Sequence, residues 1–233
     1  MHKSFFIYLF CILCVKTSFA QKASDELMKV RQAYIDAENF CADVNVVGYK
    51  DKSSSNTVQI GNGMLRKTKS FYYSKFSGSE MISNSKYTFI VNHNEKVITV
   101  FDIPQILDLY KKQELINIDT LLSGTDSVAY KGIANGLKTF SFYSTSSDIY
   151  RTELSVDAKT NFISKVVYYY KEPDEEDSYD VDRIVIEYKN VSTKKPDDSF
   201  FSEKKFFEKI NGKLSVTAAF SKYKLKVVEN EKL

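Results

Sequence analysis

The chain has 233 residues, of which 43% are hydrophobic and 27% are charged, with 33 basic against 30 acidic residues. The near balance of charge argues against a nucleic-acid-binding protein, because such domains usually carry a strong basic excess on one face. Only eight glycines and three prolines are present, which leaves little room for a long flexible linker. The length suits one domain with a sizeable core.

The first twenty residues have the three parts of a secretory signal peptide. His2 and Lys3 form a basic start, Phe5–Val15 is an apolar stretch, and Ser18-Phe19-Ala20 matches a cleavage site. The apolar stretch is shorter than the ~20 residues that cross a bilayer as a helix, and no second long one follows. We therefore expect cleavage after Ala20, a single domain over 21–233 and a periplasmic protein.

Cysteine usage constrains how the exported fold is held together. Cys11 and Cys14 leave with the signal peptide, and neither follows the small residue that lipid attachment requires. Cys41 then remains alone, so no intramolecular disulfide is possible and the fold depends on its core. Loss of Lys3 and Lys16 leaves 31 basic against 30 acidic residues.

Hydrophobic periodicity predicts one helix and then a series of strands. Ser24 is a suitable N-cap, and apolar residues recur at helical spacing as far as Ala37, which predicts a helix over 24–38. From Phe40 the period changes to two. The strands predicted in this half cover 40–46, 57–68, 70–77, 80–84, 86–92 and 96–102. Short polar turns separate them, so the pairing should be antiparallel.

The spacing of apolar residues changes at Pro104, after which the apolar residues up to Leu122 fit one or two short helices. Strands are predicted again over 127–133, 137–144, 149–157, 162–171, 181–191 and 214–228. The sequence therefore predicts an α+β fold in which an N-terminal helix and mid-chain helices cover the concave face of a large, curved, antiparallel sheet.

Several predicted strands are apolar on both faces, as in Tyr87–Val91, Val97–Phe101 and Val166–Tyr170. In an antiparallel sheet with one solvated face, every second residue should be polar. Something apolar must therefore cover the second face. Either the helices and the curvature of the sheet cover it, or it lines a lipid-sized apolar cavity.

Residues 60–102 resemble the outer-membrane lipoprotein carrier (LolA) family. The matching segment begins with Gly61-Asn62-Gly63-Met64-Leu65 and continues through basic residues to Phe71-Tyr72-Tyr73. It is similar to a pair of strands in that family that carries glycines, then a basic residue, then an aromatic residue. Ile82–Phe101 resembles the hairpin that follows it, and the order of elements is also similar. The resemblance implies an open half-barrel with an apolar interior, and it places Lys69 where the family has an arginine tied to lipoprotein handling.

If the chain carries lipid, the cavity should be lined by one face of the early strands and by the mid-chain helices. Lys69 would then lie at the mouth and meet a polar head group. The candidate ligand-binding residues are Val44, Val46, Lys69, Phe71, Tyr73, Phe89, Val91, Phe101, Ile106, Leu109 and Tyr110.

Residues for catalysis or metal binding are few. His93 is the one histidine after the signal peptide, and it falls in a predicted turn, so we interpret it as a solvated residue. The acidic run over 172–182 lacks the glycine-centred spacing of a calcium loop and is interpreted as a solvated hairpin connection. We expect no catalytic residue, no metal and no cofactor.

Two functions from different classes remain. The first is a monomeric periplasmic carrier that shields the acyl chains of lipids or lipoproteins and exchanges them with envelope membrane proteins. The second is a structural or protein-interaction module of the cell envelope with the same fold, whose concavity is filled by its own side chains. An apolar cavity favours the first function, and a filled core favours the second.

Overall fold

The computed structural model describes residues 22–50, 56–101, 118–171 and 181–228. It contains a helix α1 over 22–36 and a short helix α2 over Ile118–Ser123. The first seven strands are β1 (Phe40–Tyr49), β2 (Thr57–Lys67), β3 (Tyr72–Phe76), β4 (Ser79–Ser83), β5 (Thr88–Asn92), β6 (Val97–Phe101) and β7 (Ser127–Ala134). The others are β8 (Leu137–Tyr143), β9 (Ile149–Asp157), β10 (Ile163–Tyr170), β11 (Arg183–Ser192), β12 (Phe207–Ile210), β13 (Lys213–Val216) and β14 (Lys224–Val228).

Twelve of these strands form one hydrogen-bonded sheet, in the order β14-β6-β5-β4-β3-β2-β1-β11-β10-β9-β8-β7. The order follows the chain through two meanders, because short turns join strands that pair antiparallel. The two end strands, β14 and β7, are not neighbours, so the sheet is open. The predicted α+β class with a large, open, mainly antiparallel sheet is confirmed.

The C-terminal region differs from the prediction of one strand over 214–228. Short 3₁₀ helices at Asp198–Phe201 and Glu203–Lys205 precede a separate two-stranded hairpin, β12 and β13. The chain then reaches β14, which pairs parallel to β6. The expectation of wholly antiparallel pairing was therefore wrong at this pair, because the last strand returns to an edge formed much earlier in the chain.

Contacts divide the chain into two compact units. Within the described ranges, unit 1 comprises 22–36, 46–50, 56–59, 118–171 and 181–187, and unit 2 comprises 37–45, 60–101 and 188–228. Three strands, β1, β2 and β11, contribute residues to both units. That residues 21–233 form a single domain stays a prediction.

In unit 1, α1 packs on the sheet through an apolar stripe. Ala23, Leu27 and Val30 recur at helical spacing, and each is at most 2% exposed. Polar contacts also join the helix to the strands on which it packs. The Nζ of Lys138 in β8 forms an ion pair with Glu26, and the Tyr34 hydroxyl accepts a hydrogen bond from the Ile163 backbone N–H. No helix within the described ranges is long and apolar enough to cross a membrane.

Candidate functional site

One face of the early strands in unit 2 is filled by aromatic residues from the C-terminal region. Phe89 of β5 and Ile98 of β6 are fully buried there. The ring of Phe207 lies edge-on to Phe89 with centroids 5.0 Å apart, and the ring of Phe206 does the same at 5.5 Å. We call this the first face of unit 2. Its buried members are Tyr73, Ile82, Phe89, Val91, Ile98, Val100, Phe201, Phe206, Phe207 and Phe220.

A polar network lies at the margin of the first face. Glu80 is 3% exposed, and its carboxylate accepts a hydrogen bond from the Tyr73 hydroxyl at 3.0 Å. His93 Nε2 lies 2.8 Å from the same carboxylate, and His93 Nδ1 lies 2.8 Å from the Tyr223 hydroxyl. His93 is therefore partly buried and joins the C-terminal region to the early strands. The prediction of a solvated turn histidine was wrong, because partners distant in sequence enclose the ring.

The charge state of Glu80 depends on this network. Burial acts to raise the pKa of Glu80, but the hydrogen bonds from His93 and Tyr73, with Lys205 and Lys75 nearby, hold that pKa below its ordinary value. Burial and the adjacent carboxylate raise the pKa of Tyr73. Glu80 is thus ionised at neutral pH, and the tyrosine remains a neutral donor to it. This arrangement joins the C-terminal region to β4 and to the β5–β6 turn.

The same strands carry apolar side chains on their opposite face, which we call the second face of unit 2. Register places Met81 opposite Ile90, and Ile90 opposite Thr99. In the neighbouring rows, Thr88 pairs with Phe101, and the hydroxyl of Thr88 is 2.8 Å from that of Ser83. The apolar side chains of this face are half-buried rather than enclosed: Tyr72, Met81, Ile90, Val97 and Phe101.

The glycines that carry the family resemblance have a structural role beside this face. Gly63 lies opposite Phe76 in the β2–β3 ladder, and a Cβ at Gly63 would come within 2.4 Å of the Lys75 carbonyl oxygen. At Gly61 a Cβ would lie 2.5 Å from the Ser77 hydroxyl and 3.1 Å from the Phe76 ring. The two glycines therefore allow the Phe76 ring and the β3 backbone to approach β2 closely.

The predicted ligand-binding residues are distributed over several environments. Phe89 and Val91 are fully buried on the first face, and Tyr73 is 6% exposed there. Phe71 packs at the edge of that face against Phe201, with ring centroids 5.5 Å apart. These four side chains contact the chain's own aromatic residues, whereas the sequence places them on the wall of a cavity. A filled face was the alternative that the apolar pattern left open.

The other predicted residues lie elsewhere. Phe101 belongs to the second face, so it does not share a face with Phe89 and Val91 as the sequence analysis assumes. Val44 is half-buried and Val46 is 9% exposed, both on β1. Lys69 is exposed in the turn between β2 and β3. Three predicted residues, Ile106, Leu109 and Tyr110, lie outside the described residues, as does most of the acidic run, 172–180.

Sequence reasoning missed Met81, Ile90 and Val97 as site candidates. Each alternates with a buried residue of the first face, and that alternation was visible in the sequence. Because both sets are apolar, the sequence alone could not show which set was covered. Within the described ranges, no group of three or more histidine, cysteine or acidic side chains is placed to hold a metal ion.

Comparison with known proteins gives similarity only at the level of three-dimensional structure. No family model matches the chain, and no curated protein does. Among solved structures, a LolA superfamily protein from Nitrosomonas europaea is similar with 10% identity and a TM-score of 0.32, over 78% of this chain and 98% of that one. A LolA superfamily protein is thus among the structures that this chain resembles, as residues 60–102 predict.

Two further structures illustrate the range of similarity. An uncharacterised conserved protein from Thermus thermophilus has 10% identity and a TM-score of 0.44, over 90% of this chain and 99% of that one. The lipoprotein LppX from Mycobacterium tuberculosis has 9% identity and a TM-score of 0.38, over 72% of this chain and 93% of that one. The identities are low, so the function proposed below rests on the residues of this chain.

Proposed function

We propose that the protein is a non-enzymatic lipid or lipoprotein carrier that holds an acyl chain against the second face of unit 2. One observation carries the proposal. The first face of β3 to β6 is filled by the chain's own aromatic residues, whereas the second face presents half-buried apolar side chains that alternate with serine, threonine and asparagine. The second face is therefore the surface on which an added apolar ligand would gain most.

The gain has a physical scale. Apolar surface left in contact with water costs roughly 25 cal/mol per Å², and burial of an acyl chain is favourable by about 0.8 kcal/mol per methylene. Ile90 and Met81 lie side by side in paired strands, and Phe101 lies on the neighbouring strand of the same face. These apolar side chains share a face on which β3 to β6 place no charged residue, which suits a flexible hydrocarbon better than a small charged substrate.

The test is uptake of a fluorescent acyl probe by the purified protein. A carboxylate at Ile90, in the centre of the second face, should weaken probe binding at least tenfold (about 1.4 kcal/mol), because the charge must be desolvated when the chain binds. Thr99→Asp, on the adjacent strand of the same face, should weaken binding in the same way. The matched control is Ile210→Asp, the same substitution at an isoleucine of β12 that is 50% exposed.

The outcomes separate the two function classes. Loss of probe binding in Ile90→Asp and Thr99→Asp, with Ile210→Asp unaffected and all three folded by circular dichroism, supports the carrier. Equal binding by all variants would place the ligand elsewhere. Absence of binding by the unmodified protein would favour the alternative, a structural or protein-interaction module with a self-filled core.

We also propose that the carrier acts outside the cytoplasm, in the periplasm. The support is the basic start, apolar stretch and small-residue cleavage site of residues 1–20. N-terminal sequencing of the protein from a periplasmic extract should give Gln21 as the first residue. Recovery of Met1 from the same fraction would contradict the proposal.

A further inference from the structure

The strand at the edge of unit 2 presents two lysines beside the second face. In β14, Leu225 pairs with Ile98 and packs against the aromatic first face. Because side chains alternate along a strand, Lys224 and Lys226 project on the opposite side. Register places Lys224 beside Val97 and Lys226 beside Thr99, so both lysines border the second face.

These two lysines are not used by the fold as ion-pair partners. Both are exposed, and within the described ranges neither ammonium group pairs with a carboxylate. The surrounding segment is also rich in positive charge, because residues 203–228 contain seven lysines and only two glutamates. The rest of the chain therefore carries a small negative excess, and the basic charge is concentrated beside the apolar surface.

An apolar surface bordered by unpaired cations is complementary to an amphiphile with a negative head group. The lysine stems can lie along the apolar surface while their ammonium groups stay in water. There an ammonium group attracts a phosphate or carboxylate as a point charge. Lys69, which the sequence analysis places at the mouth of a cavity, is in the β2–β3 turn, whereas Lys224 and Lys226 are in the sheet itself.

We propose that the ligand of this protein is an acyl lipid with an anionic head group, and that Lys224 and Lys226 bind this head group while the acyl chain lies on the second face. The inference rests on the proposed function and adds the chemical class of the ligand to it. Lysines on an edge strand also discourage pairing with other strands. Protection of an edge strand requires only a charge, of either sign, whereas binding of an anionic head group requires a positive charge. Variants that reverse the charge therefore separate the two explanations.

The experiment compares three probes with the same labelled acyl chain: a phosphatidic acid, a free fatty acid and a neutral diacylglycerol. We expect the full-length protein to bind one or both anionic probes about tenfold more tightly than the neutral probe (about 1.4 kcal/mol), and salt to weaken only the anionic binding. The phosphatidic acid and the fatty acid distinguish a phosphate head group from a carboxylate.

The double variant Lys224→Glu/Lys226→Glu should lose the preference for anionic probes and keep its affinity for the neutral probe. The matched control is Lys209→Glu/Lys213→Glu, with the same change of charge on two exposed lysines of the β12–β13 hairpin. A further variant, Lys224→Gln/Lys226→Gln, removes the charge without reversing it and should also lose the preference. Thermal unfolding establishes that each variant is folded.

Three results would overturn the inference. The preference for anionic probes could be absent from the unmodified protein, survive in Lys224→Glu/Lys226→Glu, or fall equally in the hairpin control. In each case binding of the neutral probe would leave the proposed carrier function standing. Failure of all three probes to bind would overturn the carrier function and the inference together.

Discussion

The two units cover an apolar sheet face in different ways. Unit 1 uses a regular helix, whose stripe of Ala23, Leu27 and Val30 packs on the strands and whose polar edge forms an ion pair with Lys138. Unit 2 uses 3₁₀ turns and a short hairpin, which carry Phe206 and Phe207 onto the strands. The first cover is a periodic element, and the second is an irregular segment that buries several large rings and is joined to the early strands by polar contacts at its margin.

This difference predicts how much stability a single substitution should cost in each covering segment. A helix has its own backbone hydrogen bonds and several contacts of modest strength, so loss of one contact should be tolerated. The irregular cover of unit 2 has its own turn and hairpin hydrogen bonds, but its packing on the strands depends on a small number of large side chains. Single substitutions should therefore cost more stability in unit 2 than in unit 1.

The largest effect is expected at Phe207. This side chain is fully buried and lies edge-on to Phe89 and to Tyr87, with ring centroids 5.0 and 5.3 Å away. Phe207→Ala should lower the free energy of unfolding by about 3–5 kcal/mol, because it leaves a cavity and removes both ring contacts. Urea unfolding measures the loss.

The control for Phe207 is on the same strand. Ile210→Ala changes a side chain that is 50% exposed, and it should alter the free energy of unfolding by less than about 0.5 kcal/mol. Similar small losses for both variants would show that the aromatic cover contributes little to stability.

A smaller loss of stability is expected at Lys138, which joins α1 to β8. The side chain of Lys138 is 6% exposed, and it binds both Glu26 and the Asn161 amide oxygen. Lys138→Ala should cost about 1–3 kcal/mol, because two acceptors lose a buried charged donor. Urea unfolding again gives the magnitude.

Lys29 offers a matched comparison, since it pairs with the same carboxylate from the helix surface. Its side chain is 57% exposed, so Lys29→Ala should cost no more than about 0.5 kcal/mol. If Lys29→Ala were as damaging as Lys138→Ala, the connection between helix and sheet would not depend on burial.

The smallest effect concerns pH. The pKa of Glu80 is lowered in the folded protein from an ordinary value of 4.5, so its ionised form stabilises the folded state above that pH. The contribution should disappear as the pH falls below 4.5 and through the folded pKa, where the carboxylate takes up a proton. The unmodified protein should therefore lose more stability on acidification than Glu80→Gln.

Unfolding by urea at pH 7 and at several pH values below 4.5 makes this comparison. Other carboxylates titrate in the same range, so the informative quantity is the difference between the unmodified protein and the variant. Glu95→Gln, at an exposed position in the neighbouring turn, should follow the pH dependence of the unmodified protein. Parallel curves for all three proteins would contradict a role for Glu80.

Much of the fold could be predicted because it is periodic. The helix expected over 24–38 spans 22–36, and the strand expected over 149–157 is β9 with the same limits. Alternation and short turns fix such elements locally. The 3₁₀ turns and β12 could not be found in this way, since their aromatic residues have no period and are ordered by contacts with distant strands.

The candidate site was predicted only in part for a related reason. The three central residues of β5, Phe89, Ile90 and Val91, are all apolar and give no polar marker of the solvent side, so Phe89 and Ile90 are equivalent by composition. Only the position of Phe206 and Phe207 shows that Phe89 is the covered one. Phe101 was placed with Phe89 because the register across the β5–β6 turn was not known from the sequence.

The parallel pairing of β14 with β6 has a consequence for the order of folding. Val97–Phe101 and Lys224–Val228 are separated by more than half of the chain, so this edge cannot close until Lys224–Val228 has been synthesised. Contacts between such distant segments form slowly, because a long loop must be closed first. The Phe89 surface is likewise uncovered in a nascent chain that has not yet reached Phe206 and Phe207, so the early strands of unit 2 lack a complete core until the C-terminal region is made.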